Sequence, residues 1–372
     1  STSTGQGNDT LTSIENINTG SGDDTFEIND SGNNIINADG GDDEATISGG
    51  SGIILVDRNG DVVDVTDSGG GIGTDEFTFV ETINISGSAG NDIVVVTDEN
   101  NNTITGNGGS DTVLTTKNTA VSGTVTIVRT GDDVNVSGTG FGIDQYNAIS
   151  SVYVTGSTEN DTFYLTDEND NTITGNGGTD IVNVSSTASD TDNETITVIR
   201  TVSNVSVVGD VGIGNDNYND IDEVNITAGG GDDTFNIFDT LDNTFDGGDG
   251  IDTANYAPTT FDMTVSLDGS GSYTITGTGV GTDVLLNIEN INTGSGNDTI
   301  TVQDVSDNTI DGGGNTGGGN DVLTNVMEDG YSGLITIIRS PANIVTVSGP
   351  GFGTDIFTDI ETYSSIDDNT NN

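Results

Sequence analysis

Sixteen aspartates share one setting, a glycine two residues before and an apolar residue two after. They are Asp9, Asp24, Asp43, Asp75, Asp92, Asp111, Asp144, Asp161, Asp180, Asp216, Asp233, Asp252, Asp283, Asp298, Asp321 and Asp355. Only Asp161, behind Glu159, lacks the glycine, and only Ala45 and Ala254 are small where the others have a large apolar side chain. Glycine is 56 of 372 residues, so this coincidence is a sequence period and not a product of composition. The chemistry it suits is that of hard oxygen donors. Glycine permits a sharp turn with carbonyls pointing inward. The Asp adds a carboxylate, and the apolar residue on the same side of the chain enters the core. Carboxylates and carbonyls on a turn are the donors of Ca²⁺, which takes roughly six to eight oxygens. All sixteen Asp residues are therefore expected metal ligands, with several Ca²⁺ ions as the cofactor.

The spacing says how such loops would meet. Asp24 to Asp43, Asp92 to Asp111, Asp161 to Asp180 and Asp233 to Asp252 are each 19 residues apart. Midway runs a weaker copy, Asn102-Thr103-Ile104, repeated as Asn171-Thr172-Ile173, Asn243-Thr244-Phe245 and Asn308-Thr309-Ile310. Two half-turns then make one coil, and successive loops stack on one edge with an ion between them. Asp75, Asp92 and Asp111 are expected to form one such stack. The opposite edge, carrying Asn, is expected to be poor in metal, its amides stacked and hydrogen-bonded.

The elements that hold these loops read as strands. Runs such as Thr124-Val125-Thr126-Ile127-Val128 alternate and are bounded by Gly, Asn and Asp. No segment keeps a helical period over a useful length. An anchor resembling Ile-Glu-x-Ile starts at Ile14, Val80, Ile149, Ile221, Ile288 and Ile360. It divides the chain into a lead-in over 1–13, cassettes over 14–79, 80–148, 149–220, 221–287 and 288–359, and a partial repeat over 360–372. Each cassette holds an interruption that reads as a hairpin: 56–62 with its Asn-Gly turn, then 127–136, 196–207, 263–275 and 335–347. The expected fold is all-β, an elongated parallel β-solenoid of five cassettes with hairpin insertions.

The pattern resembles the Gly-Gly-x-Gly-x-Asp-x-apolar-x nonapeptide of RTX (repeats-in-toxin) proteins. The matches are Gly70-Gly71-Ile72-Gly73-Thr74-Asp75-Glu76-Phe77 and Gly106-Asn107-Gly108-Gly109-Ser110-Asp111-Thr112-Val113. The stretch 283–299, DVLLNIENINTGSGNDT, is similar to connecting segments of very large secreted RTX-like bacterial surface proteins. The resemblance covers the whole chain, but here the nonapeptides come in short groups separated by about thirty residues. It implies a calcium-binding parallel roll, exported unfolded and folding where calcium is millimolar.

Composition removes other classes. Lys and Arg number 5 against 61 Asp and Glu, a net charge of −56, and Cys, His and Trp are absent. Zinc, haem, disulfide and histidine-dependent catalytic sites lack their residues. Nucleic-acid binding lacks its cations, and no apolar run is long enough for membrane insertion. With this many carboxylates, acidic pairs carry no catalytic signal, and no enzyme is expected. Neither a signal-peptide pattern nor an initiator Met opens the chain, so Ser1 is expected to begin a processed chain or an excised piece.

Three further groups stand out. Arg58, Arg129, Arg200 and Arg339 recur on the first strand of the hairpins. They are expected to offset local charge, the other reading being a repeated anion or subunit contact. Asn-x-Ser/Thr triplets at Asn8, Asn84, Asn101, Asn135, Asn160, Asn183, Asn193, Asn204, Asn225 and Asn297 make glycans a possible partner. Tyr146, Tyr153, Tyr164 and Tyr218 could stack on sugars. The expected function is that of an extracellular, calcium-stabilised structural repeat: a surface or matrix filament, a surface layer or an adhesin stalk. Its partners would be further copies, head to tail, or neighbouring repeats of a longer chain. The alternative is a carbohydrate-binding or adhesive module of a secreted RTX-like protein.

Overall fold

The computed structural model describes residues 15–97, 99–117, 122–130, 133–166, 168–186, 192–201, 204–210, 212–257, 259–267, 271–303, 306–313, 320–327, 336–340, 343–349 and 353–367. Among them every regular element is a β-strand. Each is short because Gly, Asn and Asp end it, and side chains alternate along it. In Thr82–Ser86, Ile83 and Ile85 are buried while Thr82, Asn84 and Ser86 take the other face. Val125 and Ile127 are buried in the same way within Gly123–Thr130.

The chain forms two compact units, one of residues 1–119 with 130–154 and one of 120–129 with 155–372. In each, consecutive strands divide between two sheets rich in parallel pairs. In the first unit Thr25–Ile28 lies parallel to Glu44–Ser48, which lies parallel to Thr82–Ser86. The register aligns like with like: Phe26 beside Ala45 beside Ile83, and Ile28 beside Ile47 beside Ile85. Thr25 meets Glu44, 19 residues on. In the second unit Thr162 likewise meets Ile181, and Thr234 meets Thr253. The coil length read from the Asp spacing is thus the strand register. The interior is aliphatic and aromatic, with Phe235 and Phe245 in a tilted ring contact at 5.5 Å.

The interruptions are three-stranded meanders that remain in the sheet. Ile53–Asn59 pairs antiparallel with Val62–Asp67, which pairs antiparallel with Thr74–Thr78. The outer two strands then rejoin the parallel ladder: Thr74–Thr78 lies on Ile35–Asn37, and Ile53–Asn59 on Ile93–Val96. Each meander therefore extends a face, with one reversed strand at its centre. In the second unit Thr195–Arg200, Asn204–Gly209 and Asn215–Asn219 make a meander in one sheet. Met263–Leu267, Ser272–Gly277 and Gly281–Leu286 make the next in the opposite sheet. Thr336–Arg339, Val345–Gly349 and Gly353–Thr358 return to the first. An odd number of crossings separates these successive meanders of the second unit, so they alternate between its two sheets.

Candidate functional site

The turn aspartates are inside the protein. Asp43, Asp75, Asp92, Asp111, Asp144, Asp161, Asp180, Asp216, Asp233, Asp252, Asp283, Asp298, Asp321 and Asp355 are all buried, at 2% exposure or less. Asp24 is half-buried, and Asp9 lies outside the described residues. What surrounds each buried carboxylate decides its chemistry, because a buried charge needs a partner.

That partner is a backbone amide one coil back. Asp43 Oδ1 accepts the amide of Asp24 at 2.7 Å. Asp111 Oδ1 accepts that of Asp92 at 2.8 Å, and Asp92 Oδ1 that of Gly52 at 3.0 Å. Asp180, Asp252 and Asp321 take the amides of Asp161, Asp233 and Asp298 at 2.7, 2.7 and 2.8 Å. Asp161, Asp233 and Asp298 in turn take those of Gly123, Glu194 and Met263 at 3.1, 2.7 and 2.8 Å. The other five stand against the Asn copies. The amides of Asn34, Asn102, Asn171, Asn243 and Asn308 donate to Asp75, Asp144, Asp216, Asp283 and Asp355 at 2.9, 2.9, 2.8, 3.1 and 3.2 Å. The side-chain amide of each of those Asn residues donates to the same Oδ1.

The anchor supplies the last acceptor of most stacks. Asp43, Asp252 and Asp321 donate their own amides to Glu81, Glu289 and Glu361 at 2.8, 2.8 and 2.9 Å, and Asp180 donates to Asp222 at 2.8 Å. A second ladder runs the other way, through the residue before each Asp. Asp23 accepts the amide of Asp42, Asn91 that of Ser110, Asn160 that of Thr179, Asp232 that of Ile251 and Asn297 that of Asn320, at 2.8–3.0 Å. Neighbouring coils are thus tied in both directions. Sequence reasoning found the anchor but not its Glu's role as an acceptor, and it missed this second ladder; the Asn-Asp and Asp-Asp doublets were the available signal.

Two expectations about the edges change. Asp75, Asp92 and Asp111 enter the same sheet, but the reversed strand Val62–Asp67 and its partner Ile53–Asn59 stand between Asp75 and Asp92. Only Asp92 and Asp111 are neighbours in a stack. Asn102 does enter the sheet opposite Asp92 and Asp111, but the Asn edge is shared with Asp. Asn102, Asn171, Asn243 and Asn308 are buried directly against Asp partners. Asp161, without its glycine, is held by Ser157, whose amide donates to Oδ2 at 2.7 Å.

The second carboxylate oxygen distinguishes the members. Tyr146, Tyr218 and Tyr256 donate their hydroxyls to Oδ2 of Asp144, Asp216 and Asp283 at 2.9, 2.7 and 2.9 Å. In Asp43, Asp75, Asp111, Asp180, Asp233 and Asp252 the buried Oδ2 has no hydrogen-bond partner. Asp180 Oδ2 packs on Gly175, where a Cβ would stand 2.3 Å from it and 2.3 Å from the carbonyl oxygen of Asp220. Asp220 is left-handed, with φ 51°, as are the residues before the other anchors: Phe79, Ala148, Asn287 and Asp359. Burial pushes the acids up. Asp252 and Asp283 rise to about 7 and Asp180 to about 6. Burial is the first cause in each, and neighbouring Asp and Glu charges add to it. Asp67 goes the other way. Burial would raise it, but the amides of Gly69, Gly70, Gly71 and Ile72 all donate to it and hold it below the usual range.

The fourteen buried carboxylates are held by the protein's own amides. One oxygen of each is occupied by an amide. Among the described residues no three Asp or Glu side chains converge in a metal-holding group. No step is derived through a metal.

Arg58, Arg200 and Arg339 brace the anchors. Arg58 donates to the carbonyls of Val80 at 2.8 Å and Glu81 at 3.3 Å. Arg200 donates to the carbonyl of Ile221 at 3.0 Å and pairs with buried Asp239 at 2.9 Å. Arg339 donates to the carbonyl of Ile360. Each holds the carbonyls that follow the left-handed residue of the anchor. Of the four tyrosines weighed as sugar platforms, Tyr146 and Tyr218 are core residues, while Tyr153 and Tyr164 are 42% and 46% exposed. Asn160 and Asn297, from the Asn-x-Ser/Thr triplets, serve the second ladder, and Asn8 lies outside the described residues.

No protein-family model matches the chain, and no curated protein matches it.

Proposed function

We propose that the chain is a structural repeat element, an elongated parallel β-solenoid of five cassettes whose turn carboxylates fasten each coil to the one before it. The observation that carries this reading is the Oδ1-to-amide contact, made by fourteen buried aspartates along both units. A buried charge-assisted hydrogen bond is worth about 1.5–3 kcal/mol, and its loss strands a buried amide. Such groups, repeated in register, are what a passive rigid element needs. An extracellular surface or matrix setting suits its acidity, which keeps copies soluble and apart. The reading is non-enzymatic, since the carboxylates are committed to backbone donors. Small-angle X-ray scattering of the purified chain tests it. A rod-like profile with a constant cross-section is expected; a compact globular profile contradicts the solenoid.

A further inference from the structure

The outward positions of an alternating strand are expected to be polar. On one sheet of the first unit they are: Glu27, Thr46, Asn84, Thr103 and Gln145 stand side by side in a single row. The other sheet of that unit departs from this. Ile53 lies beside Ile93, and Leu55 lies beside Val95, which lies beside Leu114. All five face outward, because the residues alternating with them, Ile54, Val94 and Val113 among them, are the buried set. The amides of Ser150 and Ser151 both donate to the carbonyl of Asp111, as those of Glu81 and Thr82 do to the carbonyl of Asp43, where Glu44 meets Thr82. The same register sets Tyr153 beside Leu114. Ile53 is 50% exposed, Ile93 38% and Tyr153 42%, while Leu55, Val95 and Leu114 are half-buried. Contiguous apolar groups left open to solvent mark interaction surfaces.

A row of acids borders that patch. Asp57 lies directly opposite Asp64, and Asp64 directly opposite Glu76. All three are exposed, and Asp57 follows Leu55 by two residues on the same face. Like charges opposite one another on a sheet repel. The Thr97 hydroxyl donates to Asp57 at 2.9 Å, which leaves the charge in place. The chain's own cations are committed elsewhere. Arg58, Arg200 and Arg339 hold anchor carbonyls, Arg129 has its Nε and Nη2 buried, and Lys117 is 4% exposed. A second copy, at a net charge of −56, would bring more of the same sign to this face. Charge complementarity therefore points to a different molecule.

We infer that this face of the first unit is a docking site for a cationic amphipathic segment of another protein. Its apolar side chains would cover Leu55, Val95 and Leu114, and its Lys or Arg residues would lie along Asp57, Asp64 and Glu76. The inference adds a partner to the structural role and stands on other residues than the amide ladder. Covering the patch supplies the non-directional part of the affinity. The acid row supplies orientation and a faster encounter, both weakened by salt. Neutralising the Asp57–Asp64 pair removes a repulsion that the free chain carries, which favours the bound state.

Fluorescence anisotropy tests this, using the full chain and a labelled helical peptide of leucine and lysine whose apolar stripe is flanked by the lysines. Saturable binding of one peptide per chain is expected. Peptides with serine for leucine, or glutamate for lysine, should bind roughly tenfold more weakly or worse. The double variant Val95→Thr, Leu114→Thr alters two outward positions and keeps the whole charge of the chain. It should lose roughly tenfold in affinity for the leucine–lysine peptide. Asp64→Asn should also weaken binding severalfold, whereas Glu27→Gln, an equal loss of charge on the other sheet, should not. Far-UV circular dichroism confirms the β-signal of each variant, and Asp64→Asn carries the test if the double variant does not fold. A double variant that folds and binds as tightly as the wild type shows attraction by net charge alone and overturns the inference. Equal losses in Asp64→Asn and Glu27→Gln overturn it too, as does a wild type that keeps its β-signal and binds no peptide.

Discussion

Lowering the pH from about 8 to about 5 raises the melting temperature of the chain, on the order of 5–10 °C. The sign follows from the buried acids. In the folded chain Asp252 and Asp283 titrate at about 7 and Asp180 at about 6, against 3.8 for an ordinary Asp. Between those limits the folded state binds more protons than the unfolded state. Stability therefore rises as pH falls through 7 and 6 toward 4, and this gain is lost as pH rises through the folded values. The usual acid denaturation runs the other way, because paired carboxylates have lowered values. Asp67 belongs to that usual class and opposes the trend only below the ordinary Asp range. The groups that face Asp252 are Asp233, Glu289 and Asp232, all acidic, so no cation offsets its charge from those positions. A melting series in a metal-free buffer from pH 8 to pH 4 checks the slope. A midpoint that falls steadily on acidification contradicts it.

Replacing Asp252 separates its two oxygens. Asp252→Ala removes the acceptor of the Asp233 amide and leaves that N–H buried, which costs about 1–3 kcal/mol, with some cavity cost besides. Asp252→Asn keeps Oδ1 and discards the charge. It also places an amide donor where Oδ2 now packs on Gly247, beside the carbonyl oxygen of Asn287. The Asn variant should melt at or above the wild type at pH 8, and its gain on acidification should be smaller. The Ala variant should melt lower at every pH. Denaturant unfolding at pH 8 and pH 5 measures both. Equal losses in Ala and Asn would mean that the ionised charge itself, and not the acceptor, holds the stack. That pattern is expected of a metal ligand.

Much of this fold was legible in the residues. Alternation in runs such as 124–128 located strands, the 19-residue Asp spacing was the coil register, and the meander turn at Asn59-Gly60 lay where the dipeptide predicted. The alternating faces were not legible, because they depend on all three meander strands staying in one sheet, which a hairpin signal leaves open. The chemistry of the turns was least legible. A Gly-x-Asp-x-apolar turn brings a carboxylate inward whether it meets a cation or an amide. Which it meets depends on the neighbouring coil, in particular on whether an N–H such as that of Asp92 lies within reach of Asp111. The anchor carried its own clue, an acid in the same place at Glu81, Asp222, Glu289 and Glu361, but its role as the last acceptor appears only once the coils are stacked.

The central claim is that backbone amides fasten successive coils together through Oδ1 of the turn aspartates. Thermal unfolding followed by far-UV circular dichroism at neutral pH, once with millimolar Ca²⁺ and once with excess chelator, tests it most directly. The amide ladder predicts the same β-signal in both and midpoints within a few degrees of each other. A β-signal that collapses on chelation and returns with Ca²⁺ would contradict it, and would make the turn aspartates ligands of an ion-built coil.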